Sequence, residues 1–168
     1  QSPFDQPFVP RIERMDADLA LLATRFECVR TYSQAGLEAL PELARKHGLK
    51  VMMGAWVSRD PVATAAEVNA LIASANAHPD IVSSVIVGNE ALLRKEITAP
   101  QLVKLIEQVK SQIKQPVTYA DVWEFWLQHP EIAPAVDFLT IHLLPYWEDD
   151  PAGIDQAVNH VAQIRQAF

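Results

Sequence analysis

The sequence holds one cysteine, Cys28, so no intrachain disulfide can form and a disulfide-framed small domain is excluded. Only five glycines occur in 168 residues, and none form a G-x-G-x-x-G turn after a strand, which argues against a nucleotide-binding module. Positive charge is scarce. The 14 Lys and Arg face 21 Asp and Glu, a net charge of −7 with no basic stretch, so no nucleic-acid partner is expected. The five histidines show no His-x-His or His-x-x-x-His spacing, so neither a metal nor another cofactor is expected. No apolar run approaches the roughly 18 residues of a membrane helix, and no membrane segment is read in this chain. A charged n-region followed by an apolar h-region is also missing at the N-terminus, so any targeting signal is expected outside this chain.

What remains is 49% hydrophobic, enough for one sizeable core. Five short runs read as strands: "FECVRTY" (26–32), "LKVMMGAWV" (49–57), "VSSVIVGNE" (82–90), "PVTYADVW" (116–123) and "VDFLTIHLL" (136–144). They are apolar and β-branched without strict alternation, as strands buried on both faces of a parallel sheet are. Helical patterns lie between them. One runs from Gln34 to His47 and stops at Gly48; another opens at Asp60-Pro61 as N-cap and first residue and runs to about Ala77. Thr98 with Gln101 spells a capping box before the next, and a last helix is read from Gly153 to Phe168. "EFWLQHPEIAP", broken by Pro130 and Pro134, is expected to make one or two short turns. "QSPFDQPFVP" reads as a proline-rich loop before a helix around Asp16 to Thr24. The βα alternation gives an α/β fold with a parallel sheet, residues 1–168 forming one domain.

In such folds ligands bind at the carboxyl ends of the strands. Polar and aromatic residues gather at those positions here: Arg30 and Tyr32, Trp56, Asn89 and Glu90, Asp121 and Trp123, and His142 followed by Tyr146 and Trp147. Together they describe an open, aromatic, polar-floored cleft. Aromatic rings stack on the apolar faces of sugars, while carboxylates, amides and guanidinium groups bond the hydroxyls. Cleaving a glycosidic bond needs a carboxylic acid to protonate the leaving oxygen and a second carboxylate as nucleophile or base. Glu90 is a candidate for the acid, although it could instead cap the following turn. Asn89 can bond a sugar hydroxyl, Arg30 can hold a partner carboxylate ionised, and His142 can order that network or bond substrate. Trp56 reads equally as core or as sugar platform. Trp126 and Phe125 read as packing, Cys28 as a buried inert thiol, and His47, His78, His129 and His160 as solvated.

"VIVGNEALLR", with "VRTYS" before it and "VDFLTIHLLPYWED" after it, resembles glycoside hydrolase family 17 over nearly the whole chain. That family comprises retaining β-1,3-glucanases and β-1,3-glucan transglycosylases on a (β/α)8 TIM barrel, and the "TIHLLPYWED" form looks like its bacterial branch. The resemblance implies Glu90 as general acid/base, Asn89 bonding the 2-hydroxyl, Arg30 supporting the nucleophile, and His142 in the active site. Tyr32, Asp121, Trp123, Tyr146 and Trp147 fit substrate-cleft positions.

The resemblance also implies that the chain covers about strands 2–6, with strands 1, 7 and 8 absent. The family's nucleophile, a Glu in a "GE-GWPS"-like segment of strand 7, is therefore expected beyond residue 168. The chain is expected to be part of a larger protein and inactive alone, with the remainder of its own barrel as one partner. A β-1,3-gluco-oligosaccharide or glucan is the other. A periplasmic or extracellular site is expected. The alternative reading is a catalytically inactive glucan-binding module or an assembly domain of a larger glucan synthase.

Overall fold

The computed structural model describes residues 10–149 and 151–168; the stretch expected as a proline-rich loop lies almost wholly outside them. Helix α1 (Ile12–Leu22) leads into β1 (Cys28–Arg30). Then follow α2 (Leu40–Lys46), β2 (Lys50–Ala55), α3 (Pro61–Ala77), β3 (Val82–Asn89), α4 (Ala99–Lys110), β4 (Val117–Val122), α5 (Trp123–Gln128), β5 (Thr140–His142) and α6 (Ile154–Arg165). All strand pairs are parallel, and the sheet order β1-β2-β3-β4-β5 follows the chain. A sequential parallel sheet with its crossover helices on one face curls as part of a barrel; a doubly wound sheet would reverse its order partway.

Local chemistry sets the helix ends. Asp60 Oδ1 accepts from the Val62 and Ala63 N–H groups at 2.8 and 3.3 Å, with Pro61 preset for the first turn of α3. At α4 the Gln101 side-chain oxygen accepts from the Thr98 N–H at 2.9 Å, the reaching-back half of the expected capping box. Helix α4 buries Ala99, Leu102, Ile106 and Val109, spaced three and four apart so that one stripe meets the sheet. These join Val51, Met53 and Ala55 of β2, Val85 and Val87 of β3, and Val117 and Tyr119 of β4 in one core. Cutting Ile106 back to Ala would cost about 2–5 kcal/mol through lost burial and the cavity left behind.

The alternate strand positions face away from the helices. Ser84, Ile86, Thr118 and Ala120 lie there, buried, and the Thr118 hydroxyl donates to the Phe138 carbonyl at 2.6 Å. This inner surface mixes small and polar side chains with Ile86, where the outer one is mostly large and apolar. Gly54 shows why small residues are needed: a Cβ there would sit 2.5 Å from the Thr31 carbonyl oxygen.

Several expectations are corrected. Cys28 is exposed, because β1 is an edge strand and alternation turns Cys28 away from the helices while Val29 packs against them. β1 and β5 have three residues each, fewer than their apolar runs suggest, since an edge strand is paired on one side only. The helix read from Gln34 starts at Leu40. Residues 33–35 are instead drawn to Glu67 of α3, which accepts from the Ser33 hydroxyl and Gln34 N–H, both at 2.8 Å, and from Ala35 N–H at 3.2 Å. All four histidines read as solvated are half-buried beside carboxylates: His47 with Asp16 at 2.6 Å, His78 with Glu42 at 3.2 Å, His129 with Glu131 at 3.5 Å and His160 with Glu148 at 2.6 Å.

Candidate active site

The site forms where β1, β3, β4 and β5 end. β3 is the longest apolar ramp, and its last residue but one is Gly88 with φ +89°, a left-handed backbone that glycine adopts freely. Tight space reinforces the choice, since a Cβ at Gly88 would lie 3.3 Å from the Val57 side chain. Two residues later Glu90 is also left-handed, with φ 53°. A non-glycine residue there is strained and persists only where its surroundings hold it. The pairing register between β3 and β4 shifts between Ile86 and Asn89, so the strand breaks pattern as it delivers the amide and the carboxylate.

Side chains from three strands then join in pairs. Arg30 Nη2 donates to Asn89 Oδ1 at 2.7 Å, and the Asn89 amide NH2 has no acceptor among the described residues. The Arg30 guanidinium lies 4.7 Å from the centre of the Tyr32 ring, and its buried Nε has no partner among the described residues. Glu90 Oε1 lies 2.7 Å from His142 Nδ1, a pair across which either partner can carry the proton. Both side chains are partly accessible, Glu90 at 26% and His142 at 16%. The structure thus brings Arg30, Asn89, Glu90 and His142 into one region.

Asp121 stands apart from its expectation. Its side chain is fully buried, so it offers no surface to a sugar. Tyr119 donates its hydroxyl to Asp121 Oδ2, the Val122 N–H donates to Oδ1 at 2.8 Å, and the Leu93 N–H reaches Oδ2 at 3.4 Å. Burial pushes the Asp121 carboxyl above the ordinary aspartate range; the charge of Glu90 adds to the rise, and the three donors oppose it. The Tyr119 hydroxyl is pushed up by its own burial and by the Asp121 charge. Tyr119 also accepts from the Leu92 N–H at 2.9 Å. This pair therefore fastens the turn after Glu90 from below.

The remaining candidates are placed as follows. Tyr32 is half-exposed beside Arg30, and Tyr146 and Trp147 are about four-fifths exposed on the loop after β5. Trp123, at the start of α5, is half-buried, with its indole edge-on to His160 at 6.5 Å between ring centres. Trp126 is buried packing, as expected. Glu148 is engaged, accepting from the Leu144 N–H at 2.9 Å and facing His160. Sequence reasoning missed Tyr119 and Arg94. Arg94 Nη1 donates to the Asn89 carbonyl, Nη2 donates to the Val57 carbonyl at 2.9 Å, and the guanidinium lies 4.1 Å from the centre of the Trp56 ring. Its signal was present: an arginine four residues after Glu90, at the spacing that closes one helical turn.

A singly wound parallel sheet with a carboxylate, an amide and a guanidinium gathered at one strand-end face has the form of a barrel glycoside hydrolase. The chain belongs to the BtgE/BtgC glycoside hydrolase domain family, whose profile matches residues 5–168. Over 158 residues it is 34% identical to the "Probable beta-glucosidase btgE" of Aspergillus flavus, covering 88% of this chain and 26% of that protein. Over 140 residues it is 27% identical to the glucan 1,3-beta-glucosidase of Arthroderma benhamiae, covering 79% of this chain and 45% of that one. The crystal structure of the glycoside hydrolase family 17 β-1,3-glucanosyltransferase from Rhizomucor miehei superposes with a TM-score of 0.79 at 28% identity, covering 94% of this chain and 62% of that one. An active-site mutant of the Rhizomucor miehei β-1,3-glucanosyltransferase in complex with laminaritriose gives 0.76 at 29% identity, with the same coverage. The chain spans about a quarter of the length of the btgE relatives. These named relatives are fungal, which lends no support to the bacterial branch expected from "TIHLLPYWED".

Proposed function

We propose that this domain belongs to a retaining β-1,3-glucan hydrolase or transglycosylase of the family 17 type, with Glu90 as general acid/base. The observation that carries the reading is the setting of Glu90: a partly accessible strand-end carboxylate paired with His142 and preceded by Asn89, whose amide oxygen is already taken by Arg30. In this reading the five strands are strands 2–6 of an eight-stranded barrel, and the 62% coverage of the Rhizomucor miehei enzyme supports that share.

Glu90 donates its proton to the glycosidic oxygen as the C1–O bond breaks, and a second carboxylate bonds to C1. Glu90 then takes a proton from water or from a glucan hydroxyl, whose oxygen displaces the enzyme carboxylate. Water gives hydrolysis, and a glucan gives transfer. The free amide NH2 of Asn89 is suited to the 2-hydroxyl oxygen, and the free Arg30 Nε to the second carboxylate. Tyr32, Trp123, Tyr146 and Trp147 supply stacking surface. Asp121 and Glu148 are both committed to internal partners. For the nucleophile, the resemblance to family 17 implies a Glu of strand 7, beyond residue 168.

The test is product analysis of full-length protein and Glu90→Gln on laminari-oligosaccharides. Loss of turnover by about 10²-fold or more in Glu90→Gln is expected for removal of a general acid. Products longer than the substrate identify transfer, and only shorter ones identify hydrolysis. A wild-type protein that binds the oligosaccharides and leaves them intact would sink the enzyme reading in favour of a glucan-binding module.

A further inference from the structure

The peptide group between Asn89 and Glu90 is gripped at both ends. Its N–H, from Glu90, donates to the Ala120 carbonyl of β4 at 2.7 Å. Its carbonyl, from Asn89, accepts from the Arg94 guanidinium. Rotation about φ of Glu90 is measured against this one peptide plane, so the two bonds hold the reference from which the left-handed backbone aims the carboxyl side chain. Arg94 is itself held: Nη2 on the Val57 carbonyl, one face against the Trp56 ring, and its own N–H on the Glu90 carbonyl at 2.9 Å. A rigid planar fork suits this task because it can bond two carbonyls while stacking on an indole; a lysine ammonium cannot do both.

We infer that Arg94, braced by Trp56, is a positioning residue for the general acid, setting the angle of Glu90 through the Asn89–Glu90 peptide. The inference rests on the acid role proposed for Glu90. It also gives Trp56 a place: 38% exposed at the end of β2, it backs the guanidinium and does not fill the core. Arg94 touches no reacting atom in this arrangement. Its influence passes through one peptide, and a small misplacement of a reacting group can lower a rate by about 10²-fold.

The test compares leaving groups in the full-length protein. One substrate is a laminari-oligosaccharide, whose departing hydroxyl needs a proton from Glu90. The other is a dinitrophenyl β-laminaribioside, whose phenolate departs without one. For Arg94→Lys, kcat/KM on the oligosaccharide is expected to fall about 10²-fold, with little change on the dinitrophenyl substrate. Equal losses on both, or no loss on either, overturn the role. If Arg94→Lys does not fold, Trp56→Leu poses the same question at a half-exposed position. A loss selective for the oligosaccharide supports the role, and an equal loss or none overturns it. Glu90→Gln run alongside separates two failures. Should it treat both substrates alike, the acid reading of Glu90 falls and the inference with it. Should it be selective while the Arg94 and Trp56 variants are not, only the positioning role falls.

Discussion

Glu90 and His142 meet across an intervening strand: Oε1 of the residue after β3 and Nδ1 of the last residue of β5 are 2.7 Å apart, with β4 between them. The two side chains together bridge two strand spacings, roughly 10 Å. His142→Gln keeps a polar partner for the carboxyl, and His142→Leu removes it. A hydrogen bond to a charged group contributes about 1.5–3 kcal/mol, so the leucine variant should lose roughly 10- to 100-fold in kcat on laminari-oligosaccharides. The glutamine variant should lose less. Equal rates in both variants would show that the contact has no part in turnover.

Gly88→Ala should unfold at lower denaturant. Its φ of +89° opposes a side chain, and so does the Val57 side chain, 3.3 Å from where the new methyl would sit. A destabilisation of about 1–3 kcal/mol is expected from urea titration, since both strain and crowding act. An unchanged midpoint would mean that this end of β3 relaxes freely.

Tyr119→Phe removes the donor to buried Asp121 and the acceptor of the Leu92 N–H. Leaving buried polar groups unpaired costs about 1–3 kcal/mol each. The double variant Tyr119→Phe/Asp121→Asn should recover part of that loss, because the stranded charge is gone. Strictly additive effects in the cycle would show that the two residues act independently.

Two aspartates should bend stability with pH in opposite directions. Asp121 binds its proton more tightly folded than unfolded, because burial raises its value. Between the ordinary value of about 3.9 and that raised value the folded state holds more protons, so its contribution falls as pH rises. Asp137 is lowered, chiefly by Lys110 at 2.6 Å and then by the Val117 N–H at 2.7 Å. Its contribution is present above about 3.9 and is lost as pH falls through the depressed folded value. With its side chain 39% exposed, water screens the pair, and about 1 kcal/mol or less is expected. Urea unfolding of Asp121→Asn and Asp137→Asn across the acid range should flatten slopes of opposite sign.

The parts of the fold legible in the sequence were those set by local chemistry. The Asp60-Pro61 start of α3 and the Thr98–Gln101 start of α4 follow from capping. The start of α2 was not legible, because Glu67 more than thirty residues later claims the Gln34 N–H. The site divides the same way. Arg30, Asn89, Glu90 and His142 stood out as polar residues ending apolar runs, and the strands bring them together. Asp121 occupies the same kind of position, yet Tyr119 two residues earlier pulls it inward, a partnership that no spacing rule marks. Arg94 went unremarked: its spacing from Glu90 is visible, but its partners are backbone carbonyls, which a sequence does not display.

Glu67 ties together more than the start of α2. Its Oε2 accepts both from the Gln34 N–H at 2.8 Å and from the Trp56 N–H at 3.0 Å, so two separate loops end on one oxygen atom. The loop that carries Trp56 and the loop that follows Tyr32 therefore share one anchor on α3, and losing the Glu67 carboxylate would untether both at once.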